Sequence, residues 1–357
     1  MHKESVVAQS PLDDGVIAVK DFESLARDNV APHIWNYLSD GAGDQQALLE
    51  NEVAWQEPWF APKVMAGLTQ IDTTLTLNGR RLQHPILLAP TAMAMSYHPD
   101  GEAATMRAAV RTGTTYIQST LSGVPIADLG QIAREGGGDW WFQVYLHRDR
   151  AFTQSLVEAA LAAGASSLVL TVDSPALGAR DNDRRHDWGQ MPDDGISMHE
   201  RVFNPFLDSA VGWSDLQWLR DLAGDVPVWV KGILRADDAV AAIDHGAAGV
   251  MVSNHGARNL DTIVPTAVAL PAIVEAMDGR APVVVDGGIR RGTDVLRALA
   301  LGADAVMVGR PYIWGLASHG EAGVAHVVEI LRAELQMAMA LVGVDSVASV
   351  TEDILWS

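Results

Sequence analysis

Eight short apolar runs rich in β-branched residues recur from about residue 86 onward, and they constrain the fold more than any other feature. Nearly continuous apolar runs are typical of strands that are buried on both faces, as in a parallel sheet. Between them lie alanine-rich segments of helical period, several of which end on a glycine that can cap a helix. The predicted strands cover residues 86–90, 114–118, 140–146, 167–173, 227–232, 248–254, 282–288 and 304–309.

Eight strands that are each followed by a helix predict a (β/α)₈ barrel, an α/β fold. A doubly wound sheet is the alternative, but the full strand count favours the barrel. We expect residues 1–357 to form one domain, because barrels of this length often run as a single unit. The N-terminal extension over 1–80 is predicted to be helical and then hairpin-like at 73–82, and a long amphipathic helix is predicted over 321–343.

The longest interval between predicted strands separates the fourth from the fifth. We interpret its central part, about residues 181–226, as an insertion, because it is polar and rich in turn residues. An insertion after the fourth strand lies at the C-terminal rim of a barrel, where substrates enter. The segment therefore predicts a lid, and the alternative is an inert surface excursion.

The chain is acidic and lacks cysteine, and both facts narrow its function. Its 357 residues include 45 Asp and Glu against 25 Lys and Arg, a net charge of −20 that opposes nucleic-acid binding. The lack of cysteine excludes disulfides, thiolate metal sites and cysteine nucleophiles, and we expect no metal. With no apolar run long enough to span a membrane and no signal-peptide pattern, we expect a cytoplasmic protein without membrane contact.

Polar side chains stand at the C-terminal ends of the first seven predicted strands, which is the end that carries chemistry in barrels. Buried polar groups need partners, so the set predicts a lined ligand site, and the alternative is a group of satisfied core residues. The residues are Thr91, Ser119, Gln143, Tyr145, Thr171, Asp173, Lys231, Ser253, Asn254, His255 and Asp286.

His255 and Arg258 follow the sixth predicted strand and suggest a general base beside an anion clamp, although a lone histidine is more often structural. Arg180 follows the fourth strand and could bring a second guanidinium to one carboxylate. Asp173 could orient a histidine or pair with an arginine. Lys231 ends an apolar strand, so it either meets an anionic partner or extends out of the barrel mouth.

Two glycine-rich turns follow the last two strands, DGGIRRGTD at 286–294 and VGRP at 308–311. Glycines let main-chain N–H groups approach phosphate oxygens, and Arg290 and Arg310 add positive charge. The loops after strands seven and eight are the usual phosphate site of these barrels. The two turns together predict a phosphate-bearing ligand.

The sequence resembles the FMN-dependent 2-hydroxy-acid oxidases and dehydrogenases, such as glycolate oxidase, lactate oxidase and mandelate dehydrogenase. The similarity covers roughly residues 20–350, and the pattern SNHGxRxLD is highly specific. The segments that carry it are DFESLARDNVAPHIWNYLSDGAGD (21–44), LLAPTAMAMSYHPDGE (87–102), WFQVYLHRDR (141–150), LTVDSPALGAR (170–180), VKGI (230–233), VSNHGARNLD (252–261) and VVVDGGIRRGTDVLRALALGADAVMVGRP (283–311).

The resemblance implies oxidation of an L-2-hydroxy acid with FMN, with reoxidation by O₂ or another carrier. His255 would act as base and Asp173 would stabilise its charged form, while Arg258, Arg180, Tyr37 and Tyr145 would bind the substrate, the two tyrosines also serving catalysis. Whether a hydride leaves Cα or a proton leaves first stays open. The implied FMN contacts are Thr91, Ala92, Ser119, Gln143, Thr171, Lys231, Ser253, Asp286, Gly288, Arg290, Gly309 and Arg310.

Departures from the family leave the substrate open. The stretch after Arg180 is shorter than in glycolate oxidase, and His147 and Leu121 stand where relatives carry aromatic residues. One alternative is therefore a biosynthetic tailoring oxidase that acts on an amine or a larger hydroxy acid. A second is a non-catalytic barrel that binds FMN or a phosphorylated ligand. The resemblance also implies a homo-oligomer, since relatives often form tetramers.

Overall fold

The computed structural model describes residues 15–176, 178–181, 185 and 203–356. The predicted insertion therefore lies partly outside the described residues. The described helices are α1 Asp21–Asn29, α2 Pro32–Ser39, α3 Gln46–Val53, α4 Gly101–Thr112, α5 Ile126–Gly136, α6 Arg150–Ala163, α7 Trp213–Ala223, α8 Ala236–Asp244, α9 Thr266–Met277, α10 Gly292–Ala300 and α11 Arg310–Val342. The described strands are β1 Leu75–Leu77, β2 Arg80–Leu82, β3 Ile86–Leu88, β4 Tyr116–Gln118, β5 Trp140–Val144, β6 Leu168–Thr171, β7 Val228–Ile233, β8 Gly249–Val252, β9 Val283–Val285 and β10 Ala305–Val308.

Strands β3 to β10 form a closed parallel barrel in which β10 pairs with both β9 and β3. Each of the eight predicted strands coincides with one of these strands, so the predicted (β/α)₈ barrel is confirmed. The register sets Thr171 beside Lys231 at the C-terminal ends of β6 and β7. The closed parallel arrangement brings all eight C-terminal ends to one rim.

Local sequence signals explain where the barrel helices begin and end. Asp149 caps α6, because its carboxylate accepts hydrogen bonds from the main-chain N–H groups of Ala151 and Phe152 at 3.0 and 3.3 Å. Helices α4 and α6 end at Gly113 and Gly164, whose φ angles of 68° and 96° favour glycine. The predicted alanine-rich segments after the first, third, fifth and seventh barrel strands, 101–113, 152–164, 236–246 and 292–302, form α4, α6, α8 and α10, and α5, α7, α9 and α11 complete the ring.

Alternation along each strand separates the barrel interior from the layer beneath the helices. Val228 and Val230 pack outward against the helices, whereas Trp229 lies inside the barrel with Trp141, their rings 5.1 Å apart. Leu77 and Leu82 of the β1–β2 hairpin join the interior cluster, so the hairpin covers the N-terminal end of the barrel. This apolar interior leaves the opposite rim for polar side chains.

The N-terminal extension and the last helix enclose the barrel further. Helix α1 packs against α11, and α3 packs against the turn after β8. Helix α11 starts earlier than the predicted 321–343, and its backbone departs from helical geometry at His319 and Gly320. The long predicted helix is therefore the second half of a kinked one.

Part of the predicted insertion forms a regular element, since Trp213–Ala223 is helix α7, which packs against α6 and β7. The proposed lid would fall mainly on 182–184 and 186–202, which lie outside the described residues. No helix of the described part is long and apolar enough to cross a membrane.

Candidate active site

The rim polar groups arise from the same alternation that builds the apolar interior. Two residues after inward-facing Trp229 comes Lys231, and two residues after Met251 and Val284 come Ser253 and Asp286. A side-chain period of two keeps each pair on one face of its strand. The inward row therefore changes from apolar to polar as each strand reaches the rim, and the polar groups meet around one axis.

Gln143 links three strands of this ring. Its side-chain amide N–H donates to the Thr171 hydroxyl at 3.0 Å, and its carbonyl accepts from the Ser119 hydroxyl at 3.3 Å and from the main-chain N–H of Thr120 at 3.1 Å. Gln143, Ser119 and Thr171 are all buried. Mutual hydrogen bonding fixes their orientation and makes the ring rigid.

Lys231 lies in the ring with 4% of its surface exposed. Its ammonium donates to the Ser253 hydroxyl at 2.8 Å and lies 3.6 Å from a carboxylate oxygen of Asp286 and 3.9 Å from one of Asp173. A buried ammonium requires such partners. The structure thus decides between the two sequence interpretations, because Lys231 points into the barrel mouth and not out of it.

His255 begins a turn of three consecutive left-handed residues, with φ angles of 58° at His255, 62° at Gly256 and 58° at Ala257. Left-handed conformations at non-glycine residues are strained and cluster at functional sites. The Asn254 side chain stabilises this turn by accepting from the Ala257 N–H at 3.2 Å. The turn presents the His255 ring to the cleft and aims the Gly256 carbonyl at Arg310, 2.9 Å away.

The Nδ1 atom of His255 lies 2.8 Å from Oδ1 of Asp173, and the Ser174 hydroxyl contacts both groups. Burial opposes ionisation of Asp173, but the charges of His255 and Lys231 prevail and lower its pKa to about 2. Burial, with the Asp173 and Tyr37 charges, raises the pKa of the neighbouring Tyr145. The site therefore holds a carboxylate, a histidine and a protonated phenol together.

Tyr37 and two arginines form the next part of the wall. The guanidinium carbon of Arg258 lies 4.6 Å from the Tyr37 ring centroid, and that of Arg180 lies 5.6 Å from it. Arg258 donates to the main-chain carbonyls of Tyr37 and Asp40 at 2.6 and 3.1 Å, at the C-terminal end of α2. Two guanidinium groups beside one aromatic ring are suited to a small carboxylate.

Gly287 and Gly288 line the cleft directly after β9 and carry φ angles of 87° and 81°. A side chain at Gly288 would place its Cβ 1.8 Å from the carbonyl oxygen of Asn51, so only glycine fits. Arg290 pairs with Glu52 at 2.9 Å, and Arg310 donates to three main-chain carbonyls. Burial and the charges of Arg258 and Arg290 lower the pKa of Arg310, the mark of a cation cluster that favours a bound anion.

Most predicted site residues line one cleft that encloses about 1020 Å³, open space at its mouth included. They are Tyr37, Thr91, Ala92, Ser119, Tyr145, Lys231, His255, Arg258, Asp286, Gly288, Arg290, Gly309 and Arg310. Five others lie beside this lining: Gln143, Ser253, Asp173 and Arg180 contact lining residues, and Thr171 accepts a hydrogen bond from Gln143. The structure brings the whole predicted set together.

Asn51, Glu52 and Tyr97 are not predicted as site residues by the sequence, because they lie on the N-terminal extension or on a loop. Asn51 of α3 exchanges two hydrogen bonds with Asn254, at 3.0 and 2.7 Å, and Glu52 holds Arg290. Tyr97 also lines the cleft. The helical period of its apolar residues predicts that α3 is partly buried. No local sequence pattern indicates which barrel loop α3 contacts.

The residues present fit FMN, the cofactor that the resemblance implies. Within the described part of the chain, Oδ1 of Asp286 and Nε of Arg290 are buried without a hydrogen-bond partner. An acceptor and a cationic donor at these positions suit a ribityl hydroxyl and a phosphate oxygen. The glycine turn at 287–288 adds close main-chain approach. Within the same described residues, no cluster of side chains could hold a metal ion.

Comparisons with known proteins agree with this geometry. Residues 26–357 match the family described as FMN-dependent dehydrogenase. The chain is 40% identical to an L-lactate oxidase of Nostoc sp. over 353 residues, 94% of this chain and 96% of that protein. It is 40% identical to glycolate oxidase of Spinacia oleracea over 352 residues, 93% and 94% of the two chains. A solved structure of mandelate oxidase superimposes with a TM-score of 0.86 at 38% identity, covering 96% of this chain and 98% of that one.

Proposed function

Since the chain belongs to the family of FMN-dependent dehydrogenases, we propose that it oxidises an L-2-hydroxy acid to the 2-oxo acid. It is an FMN-dependent oxidoreductase of the group that acts on CH–OH donors, and its named relatives are lactate, glycolate and mandelate oxidases. One observation carries the proposal for this chain: His255, paired with Asp173, lines the same cleft as Arg258.

In the proposed complex, Arg258 and Arg180 bind the substrate carboxylate. Both guanidinium groups lie against the Tyr37 ring, and paired charge-assisted hydrogen bonds fix an anion in orientation as well as in position. The hydroxyls of Tyr37 and Tyr145 hydrogen-bond the carboxylate or the hydroxyl of the substrate. Fixing the acid in this way directs its α-carbon toward the ring of polar groups at the barrel mouth.

His255 is the proposed base. Its Nδ1 faces Asp173, so Nε2 is the atom that takes a proton from the substrate. Ionised Asp173 stabilises the imidazolium that results. The acid loses two electrons and two protons overall, and the product is the 2-oxo acid.

When bound, FMN would supply the redox chemistry, as the carrier of the two electrons between the substrate and an acceptor. We assign Thr91, Ala92, Ser119, Gln143 and Thr171 to its ring system, with Ser253 behind Lys231. Lys231 is buried and cationic, so it would stabilise negative charge that develops on the ring. Asp286 is assigned to the ribityl chain, and the phosphate to Gly288, Arg290, Gly309 and Arg310.

O₂ is the proposed acceptor, because the relatives are named oxidases. The cleft wall favours an acid with a sizeable side chain. Leu121 lines the cleft and is 44% exposed, so apolar surface is available beside the proposed position of the acid. A larger hydroxy-acid intermediate, as in the tailoring alternative, would use the same wall.

We further propose that the enzyme is a cytoplasmic homo-oligomer. Apolar side chains form an exposed patch where the loop after α3, the end of α11 and the C-terminus meet: Trp59, Val64, Met65, Met337, Leu341 and Trp356. Main-chain hydrogen bonds connect the three segments. The N–H of Trp356 donates to the carbonyl of Trp59, and the N–H of Lys63 donates to the carbonyl of Val342. A patch of this kind supports contact with a second copy. Sedimentation velocity of the wild type and of Trp356→Asp tests whether copies of the chain associate through this patch.

Product analysis tests the proposed reaction. Purified enzyme is incubated in air with the L and D forms of lactate, mandelate and a long-chain 2-hydroxy acid, and with the matching 2-amino acids. We expect 2-oxo acid and hydrogen peroxide in equal amounts from one or more L-hydroxy acids. Turnover of an amine alone would replace the proposal with the tailoring alternative.

A further inference from the structure

Tyr97 carries a hydroxyl whose role the proposed reaction leaves unassigned. It follows the short 3₁₀ turn Ala94–Ser96 and is 6% exposed. Its hydroxyl has no hydrogen-bond partner within the described residues, yet the side chain lines the cleft. A buried hydroxyl normally finds a partner, so an unpartnered one on a side chain that lines a cleft is suited to a ligand.

The surroundings of Tyr97 show what kind of ligand would satisfy it. Tyr37, Arg258, Tyr312 and Arg310 are the ionisable groups that act on its hydroxyl. Arg258 and Arg310 donate to main-chain carbonyls, and within the described residues neither pairs with a carboxylate. Two positive charges that form no ion pair among the described residues, beside an unused donor, are complementary to an anion.

We propose that the Tyr97 hydroxyl donates a hydrogen bond to an anionic oxygen of a ligand bound in the cleft, beside Arg258 if that oxygen belongs to the substrate carboxylate or beside Arg310 if it belongs to the cofactor phosphate. The inference deepens the proposed function, since that function supplies two such oxygens, on the cofactor phosphate and on the substrate carboxylate. Burial, and next the charge of Tyr37, raise the pKa of Tyr97, so its hydroxyl keeps its proton. A neutral donor adds affinity for the anion without adding to the repulsion between the arginines.

Tyr116 shows that an unpartnered hydroxyl alone is not a site. Its hydroxyl is also buried without a partner among the described residues, but the side chain does not line the cleft. Its ring packs edge-on against Tyr312, with centroids 6.4 Å apart. Tyr116→Phe is therefore the matched control, because it removes a buried hydroxyl from the same neighbourhood without touching the cleft.

Direct binding tests the inference without turnover. Apoprotein of the wild type, Tyr97→Phe and Tyr116→Phe is titrated with FMN and with riboflavin, which lacks the phosphate, by quenching of flavin fluorescence. Holoenzyme is then titrated with oxalate, a substrate-sized carboxylate, by the change in flavin absorption. We expect Tyr97→Phe to weaken the binding of FMN or of oxalate about tenfold, which is about 1.4 kcal/mol of binding free energy. Tyr116→Phe should change neither affinity.

The two arms identify the anion. Weaker binding of FMN with unchanged binding of riboflavin assigns the Tyr97 hydroxyl to the phosphate. Weaker binding of oxalate assigns it to the carboxylate. Unchanged binding of all three probes overturns the inference, and so does equal weakening of FMN and riboflavin with oxalate unchanged. A protein that binds FMN but oxidises no acid would contradict the proposed function and leave this test intact.

Discussion

The 2.8 Å contact between Nδ1 of His255 and Oδ1 of Asp173 determines which nitrogen of the histidine faces the cleft. A carboxylate acceptor at Nδ1 favours a proton there and leaves the Nε2 lone pair free. Asp173 is ionised at this position despite its burial, because His255 and Lys231 lower its pKa. The pair therefore provides a base together with the charge that stabilises its protonated form.

His255→Gln should leave FMN bound and slow its reduction by substrate, since glutamine cannot accept the proton. General-base removal typically costs about 10²–10⁴-fold in rate. Anaerobic stopped-flow absorbance measures the loss. His245→Gln is the control, because His245 stands at the C-terminal end of outer helix α8 and stacks on Trp213. Reduction of His255→Gln at the wild-type rate would show that another group is the base.

Asp173→Asn should destabilise the protein in a pH-dependent way. The Asp173 pKa is lowered from 3.8 to about 2 in the fold, so its stabilising effect is fully present above about pH 3.8 and is lost as the pH falls through about 2. The shift corresponds to roughly 2 kcal/mol. Urea unfolding at pH 7 and at several pH values down to 3 should show a difference between wild type and variant that narrows below pH 4. A difference that widens on acidification would contradict the ionised state of Asp173.

Arg258→Lys should weaken carboxylate binding although it keeps the positive charge. Lysine cannot reproduce the planar fork that lies 4.6 Å from the Tyr37 ring centroid. Loss of charge-assisted hydrogen bonds predicts a fall in kcat/KM of about 10–100-fold. Arg235→Lys, at an exposed pair with Asp237, should leave kcat/KM unchanged. Equal kcat/KM values for the wild type and Arg258→Lys would show that the substrate carboxylate binds elsewhere.

Gly288→Ala should destabilise the fold and abolish FMN binding. A Cβ there would lie 1.8 Å from the Asn51 carbonyl oxygen, in addition to the strain of a φ of 81°. Gly279→Ala isolates the strain, because Gly279 has a φ of 67° and nothing within 4 Å of its added Cβ. We expect the Gly279 variant to lose about 1–2 kcal/mol and keep its cofactor. Similar melting temperatures and FMN contents for the two variants would contradict the close approach of Gly288 to the Asn51 carbonyl oxygen.

The sequence predicts the barrel well because its signals are local. Buried parallel strands are short apolar runs, and their C-terminal polar residues follow from alternation, so Lys231 and Asp286 could be placed at the rim before their contacts were known. The glycine turn after β9 was likewise predictable, because Gly288 and Arg290 stand in one motif. Each of these predictions depended on neighbours in the chain.

The parts that could not be predicted depend on contacts between distant segments. The pairing of Asn51 with Asn254 spans 203 residues, and the pairing of Glu52 with Arg290 joins α3 to the loop after β9. The same limit applies to Lys231, whose inward direction depends on Ser253 and Asp286 on other strands. The first half of α11, before the kink at Gly320, likewise lies outside the predicted helix. Packing of the assembled barrel decides such features.

The most direct test of the account is an anaerobic visible spectrum of the purified yellow protein during addition of L-lactate, L-mandelate and longer L-2-hydroxy acids. We predict that at least one L-acid bleaches the flavin band, that its D form does not, and that air restores the colour. A flavin band that no 2-hydroxy acid bleaches, in a protein that retains FMN, would contradict the proposed reaction.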